Sequence, residues 1–151
     1  PQALDTRFPL LCGTGAVPGA FAGVAPLVLD LSNGEPGKTG RATLQVPQNA
    51  ALFGDHFPRR PVFPGTLLMH MNLKLAAVLA TEMPRPAGGQ WRIQTLSNVK
   101  LRSFIAPGET LDLEARLDSC SADAATIILE TRKSNRLVGG AQVLLVPENQ
   151  R

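Results

Sequence analysis

A chain of 151 residues, 44% hydrophobic and 18% charged, is long enough to bury one core and too apolar to be a disordered segment. Its net charge of +3 comes with no tyrosine, one tryptophan and no dense basic stripe, which excludes the cation-and-aromatic surface of a nucleic-acid binder. Cys12 and Cys120 lie far apart and the histidines number two; this supplies neither a disulfide framework nor metal-ligand spacing, so no metal and a reducing, cytoplasmic setting are expected.

One domain is expected over residues 1–151, with residues 1–37 an apolar, Pro- and Gly-rich segment packed on it. Within that segment Phe8 to Leu29 carries no charge. Pro9, Pro18 and Pro26 would break a helix there, so neither a membrane span nor a signal helix is expected, only loop and short strands. The run GTGAVPG at 13–19 begins like a dinucleotide-binding loop, but it lacks the third glycine and the strand–helix setting that the motif needs. A first residue of Pro rather than Met points to a processed or excised chain.

Next, NGEPG predicts a turn, and GKTGRATLQVP alternates as a half-buried strand that stops at Pro47. Residues 48–64 are expected to be loop or a short helical turn. From Gly65 to Met83 no further Gly or Pro interrupts the pattern, which predicts one long helix. At 100° per residue, Leu67, Leu68, Met71, Leu75, Val78 and Leu79 share one broad side, with Met69, Leu73 and Ala80 on another. The helix is therefore expected to be buried nearly all round, with Thr66, His70, Lys74, Ala77 and Thr81 as a narrow polar or small seam.

The remainder reads as strands: WRIQTLSNVKLRSFI as one extended run, APGE as a turn, TLDLEARLD, a second turn at SADA, then ATIILETRK and RLVGGAQVLLVP joined by a tight Ser-Asn connection. One helix followed by an antiparallel meander predicts the α+β class.

Both histidines flank one loop, FGDHFPRRPVFPGTLLMHMN. Pro58, Pro61 and Pro64 restrict the backbone around His56, so its imidazole has little freedom left to lose. The Pro64-Gly65 pair opens the helix and leaves the N–H groups of Gly65 and Thr66 as free donors, able to polarise a carbonyl. The missing side chain at Gly65 would let a ligand approach the backbone. Asp55 either orients the neighbouring imidazole or starts a turn, and adjacent side chains in an extended loop point apart, which favours the turn.

The run HFPRRPVFPG before an apolar helix, followed by NVKLRSFIAPGETLDLEARL, resembles the bacterial 3-hydroxyacyl-[acyl-carrier-protein] dehydratases of the hotdog fold, over about residues 38 to 146. The resemblance implies an antiparallel sheet wrapped around the central helix. It also implies a homodimer, with larger assemblies of dimers open, whose active sites lie between subunits. His56 is then the residue that exchanges a proton with the substrate. Phe57, Phe63, Gly65 and Thr66 line the acyl site. Arg59 and Arg60 sit at its mouth, toward a phosphopantetheine phosphate or an acidic carrier protein. The substrate is an acyl thioester carried on acyl carrier protein or coenzyme A, and no cofactor, nucleic acid or membrane takes part.

One position departs from the pattern. Where the family carries Glu or Asp on the helix, this chain has His70, with Lys74 one turn later. Three readings stay open: His70 serves as an alternative acid in a dehydratase acting in acyl-chain biosynthesis; the site hydrolyses or isomerises thioesters; or the domain is a catalytically degenerate binding module of a larger synthase.

Overall fold

The computed structural model describes residues 27–48, 50–54, 56–57, 59–84 and 89–148. The greater part of the apolar N-terminal segment, with the GTGAVPG run and Cys12, lies outside the described residues, as do Asp55 and Pro58. Among the described residues, six strands form a single antiparallel sheet: β1 Leu29–Glu35, β2 Thr39–Gln45, β3 Trp91–Leu101, β4 Thr110–Cys120, β5 Ala125–Lys133 and β6 Arg136–Pro147. A short 3₁₀ turn at Ala51–Gly54 precedes the one long helix of these residues, α1, Gly65–Glu82. This is the hotdog arrangement.

Local sequence explains the element bounds. In β4, Leu111, Leu113 and Ala115 alternate inward, and in β5 Ala125, Ile127, Leu129 and Thr131 do the same, the period of two that places one strand face on a core. Ser134 and Asn135 take left-handed φ values of 46° and 67°, as a type I′ hairpin turn requires, and Lys133 pairs with Arg136 across it. The Pro47 and Pro84 breakers fall just outside β2 and α1.

The strand order β1-β2-β4-β5-β6-β3 corrects the expected meander. After the helix only β4, β5 and β6 pair in sequence order, as β1 and β2 do before it. β3 is carried past them to pair with β6 at the far edge, which lets the helix between β2 and β3 cross the sheet's concave face, against β2, β4, β5 and β3. β3 also ends at Leu101 rather than running to Ile105. After Leu101 the chain leaves the sheet, held by Arg102 N–H donating to Val138 O at 2.8 Å and by Phe63 N–H donating to Ile105 O at 2.7 Å.

The helix is not buried all round. Leu68, Met71, Asn72, Leu75, Ala76 and Leu79 face the sheet and are buried together with Met69. Thr66, His70, Lys74, Ala77 and Thr81 are exposed, and so is Val78, at 36%. The sheet curls around one side of α1 only, so the opposite side of this single chain meets solvent. Each fully buried leucine contributes about 1.5–3 kcal/mol relative to exposure, which fixes the rotation of the helix about its axis.

That rotation is also set by a polar pair that the pattern of seams does not reveal. Asn72, 1% exposed, donates from Nδ2 to Leu68 O and to Thr131 Oγ1, both at 3.0 Å. Thr131 is fully buried on β5 and pairs with Gly139 of β6. A Cβ at Gly139 would stand 3.5 Å from Leu68 Cδ2, ordinary van der Waals contact, so Leu68 of the helix packs directly over this stretch of β6.

Candidate functional site

The loop before α1 is held by backbone bonds at each end of its critical stretch. His56 N–H donates to Leu52 O at 2.9 Å, Arg60 N–H to Phe57 O at 2.9 Å, and Phe63 N–H reaches Ile105 across the chain. Pro61, between the last two of these anchors, and Pro64, directly after the last, each remove a donor and fix a φ angle. The imidazole of His56 is thereby seated with Nδ1 2.7 Å from Val62 O. A carbonyl oxygen can only accept, so Nδ1 carries the hydrogen and the neutral ring keeps its lone pair on Nε2. Among the described residues Nε2 has no protein hydrogen-bond partner.

Phe57 adopts φ of 63°, a left-handed conformation that costs a bulky side chain energy. Its ring meets that of His56 edge-on, with centroids 4.7 Å apart. The strain turns the chain sharply after His56, and the phenyl ring forms part of a pocket rim at 55% exposure.

A pocket of about 320 Å³ collects these residues: His56, Phe57, Phe63 and Gly65 line it, with Val62 and Leu68 as buried wall and Leu101 to Ile105 as the opposite side. The volume is near the lower bound for small-molecule sites, and the lining is mostly apolar with few polar groups, as such sites require. At its inner end, Leu67 N–H and Leu68 N–H both donate to Pro64 O at 3.1 Å, and no side chain caps the helix. The first-turn donors of Gly65 and Thr66 are left without protein acceptors among the described residues.

Four of the eight expected site residues thus meet in one pocket. Thr66 and His70 are exposed on the open face of α1 and neither lines the pocket wall. Arg59 and Arg60 are exposed and also absent from its lining. The space over Gly65, expected to be open to a ligand, holds a methyl of Leu101: an added Cβ would lie 2.2 Å from Leu101 Cδ1.

Sequence reasoning missed the whole 101–105 side of the pocket, including Arg102 and Ser103, the other protic side chains in the lining. The signal was available, because this segment carries the second half of the family signature. Reading it as continuous strand hid its departure from the sheet.

A family model described as ApeI dehydratase matches residues 33–139. The 3-hydroxyacyl-[acyl-carrier-protein] dehydratase FabZ of Rickettsia rickettsii (strain Sheila Smith) is 32% identical over 90 residues, which are 59% of this chain and 62% of that protein. The corresponding FabZ of Roseiflexus sp. (strain RS-1) is 33% identical over 84 residues, 56% of this chain and 59% of the relative. The match thus spans less than two thirds of these relatives' length. Among solved structures, smu.793 from Streptococcus mutans UA159 bound to acetyl CoA superposes with a TM-score of 0.66 at 12% identity, covering 84% of this chain and 94% of that one. Thioesterase HI1161 from Haemophilus influenzae does so with a TM-score of 0.65 at 13% identity, covering 87% and 85%. Likeness at such identities bears on fold alone.

Proposed function

The chain belongs to the ApeI-like dehydratase family, and on that premise we propose that it converts 3-hydroxyacyl thioesters to 2-enoyl thioesters. The observation that carries this reading is the seating of His56 Nδ1 against Val62 O. With Nδ1–H donated to Val62 O, Nε2 is the lone-pair nitrogen of a side chain that lines an apolar pocket. Nε2 takes a proton from the substrate's α-carbon. The thioester carbonyl, held by the free N–H of Gly65, the first-turn donor whose residue lines the pocket, accepts the developing negative charge. The electron pair then forms the Cα=Cβ bond as the β-hydroxyl departs, protonated, as water. Oxidation state is conserved, so the reaction requires no redox cofactor.

The proton for the leaving hydroxyl comes from His70 of a second subunit in this reading. Its support is placement: His70 lies on the exposed face of α1 and outside the lining of this chain's own pocket, as a residue serving a neighbouring subunit's site would. The functional unit is then a homodimer, with dimers of dimers as an extension. The substrate arrives on phosphopantetheine, of acyl carrier protein or coenzyme A, with Arg59, Arg60 and Arg102 near the mouth to meet its anionic groups. A reducing cytoplasmic setting belongs to the same reading, supported by a sequence with two cysteines, too few for a disulfide framework.

One observation favours a second reading, an acyl-thioester binding module: no carboxylate lines the pocket among the described residues. Purified protein incubated with 3-hydroxyacyl thioesters on both carriers separates the readings. Enoyl thioester formation is expected. Free thiol would mean thioester hydrolysis instead. Saturable binding without turnover, combined with dehydration gained by His70→Glu, would establish the binding module.

A further inference from the structure

Leu101 stands apart from the rest of the pocket wall. It is the last residue of β3, it is 51% exposed, and its Cδ1 sits 2.2 Å from where a Gly65 side chain would begin. In a helix the Cα–Cβ direction leans toward the N-terminus, the same end at which the unpartnered first-turn N–H groups point. The Leu101 methyl therefore occupies space immediately beside the donor that holds the thioester carbonyl in the proposed reaction.

We infer that Leu101 sets how much substituent the site accepts at the substrate's α-carbon. The inference rests on the dehydratase reading and deepens it by naming a substrate feature. A carbonyl oxygen bonded to Gly65 N–H brings the α-carbon one bond away, between that donor and His56. A methylene there carries only hydrogens toward Leu101. An α-methyl branch beside the Gly65 donor meets the volume that Leu101 Cδ1 fills, while Val62, Phe63, Leu68 and Ile105 on the inner walls are buried and close-packed interiors yield little. Leu101 is exposed, as the rim residues Phe57 and Phe104 also are, and it is the one whose side chain meets the Gly65 Cβ position, so its size can change without opening a hole in the core.

The test compares acyl-coenzyme A ligands that cannot eliminate water, butyryl-CoA and its α-methyl analogue 2-methylbutyryl-CoA, binding to wild type, Leu101→Ala and Leu101→Phe by calorimetry. Circular dichroism melting checks each fold. Wild type is expected to prefer the unbranched ligand, and Leu101→Ala to raise the branched-to-unbranched affinity ratio about 10-fold or more, the scale of one methyl group in an apolar pocket. Leu101→Phe is expected to weaken the branched ligand further relative to the linear one. A ratio that stays within about twofold across all three folded proteins overturns the role of Leu101 while leaving the function reading intact. Absence of binding of either acyl group to folded wild type, on coenzyme A and on acyl carrier protein alike, overturns both.

Discussion

The hydrogen bond from His56 Nδ1 to the carbonyl of Val62, 2.7 Å long, joins the first and last turns of one proline-braced loop and fixes which ring nitrogen is free. The bond belongs to the loop rather than to the core, so its structural worth is that of one ordinary hydrogen bond, about 1 kcal/mol. His56→Gln is expected to lower stability by no more than about 1.5 kcal/mol on that scale. Turnover of a 3-hydroxyacyl thioester should fall by about 10²–10⁴-fold, the range for losing a positioned base. Urea denaturation and a product assay on the same preparation check the pair of numbers. Loss of stability large enough to account for the lost turnover would make His56 a structural residue.

Asn72 and Thr131 form the buried polar link between α1 and β5. Removing one partner strands the other away from water, and Asn72→Ala also opens a cavity. We expect a cost of about 2–4 kcal/mol in urea unfolding. Replacing both, as Asn72→Leu with Thr131→Val, leaves only the backbone carbonyl of Leu68 to its ordinary helical partner. This double variant should recover most of the loss, because removing both members of a buried pair is nearly neutral. A double variant less stable than Asn72→Ala would contradict the assignment.

The Ser134-Asn135 turn holds two non-glycine residues at positive φ. Converting it to Asn-Gly supplies the residues that adopt a type I′ turn with least strain. The expected gain is about 0.5–1 kcal/mol, seen as a rise of a few degrees in melting temperature for a chain of this size. An unchanged or lowered melting temperature would count against strain at this turn.

These cases also mark how far the sequence alone reaches. The bounds of α1, β5 and β6 were legible because each is a local property: period, turn residues and proline breakers. The sheet order was not, since the pairing of β3 with β6 rather than β4 is decided by where the helix can bury Leu68, Leu75 and Leu79. His56, Phe57, Phe63 and Gly65 were legible as a group because one rigid loop carries them all. Leu101 over Gly65 and Thr131 against Asn72 were not, because each contact joins residues far apart in the chain and depends on the sheet order. The polar seam of α1 was read correctly in composition and wrongly in burial: a helical wheel shows which residues share a side, not which side the sheet leaves open.

The central claim, that His56 takes the α-proton in a dehydration, is tested most directly with a 3-hydroxyacyl thioester carrying deuterium at both α positions. Wild type is predicted to form the 2-enoyl thioester with loss of one deuterium to solvent, while folded His56→Gln forms little product and leaves both deuteriums in place. Intact substrate from the wild type, or equal deuterium loss from the two proteins, would contradict the account.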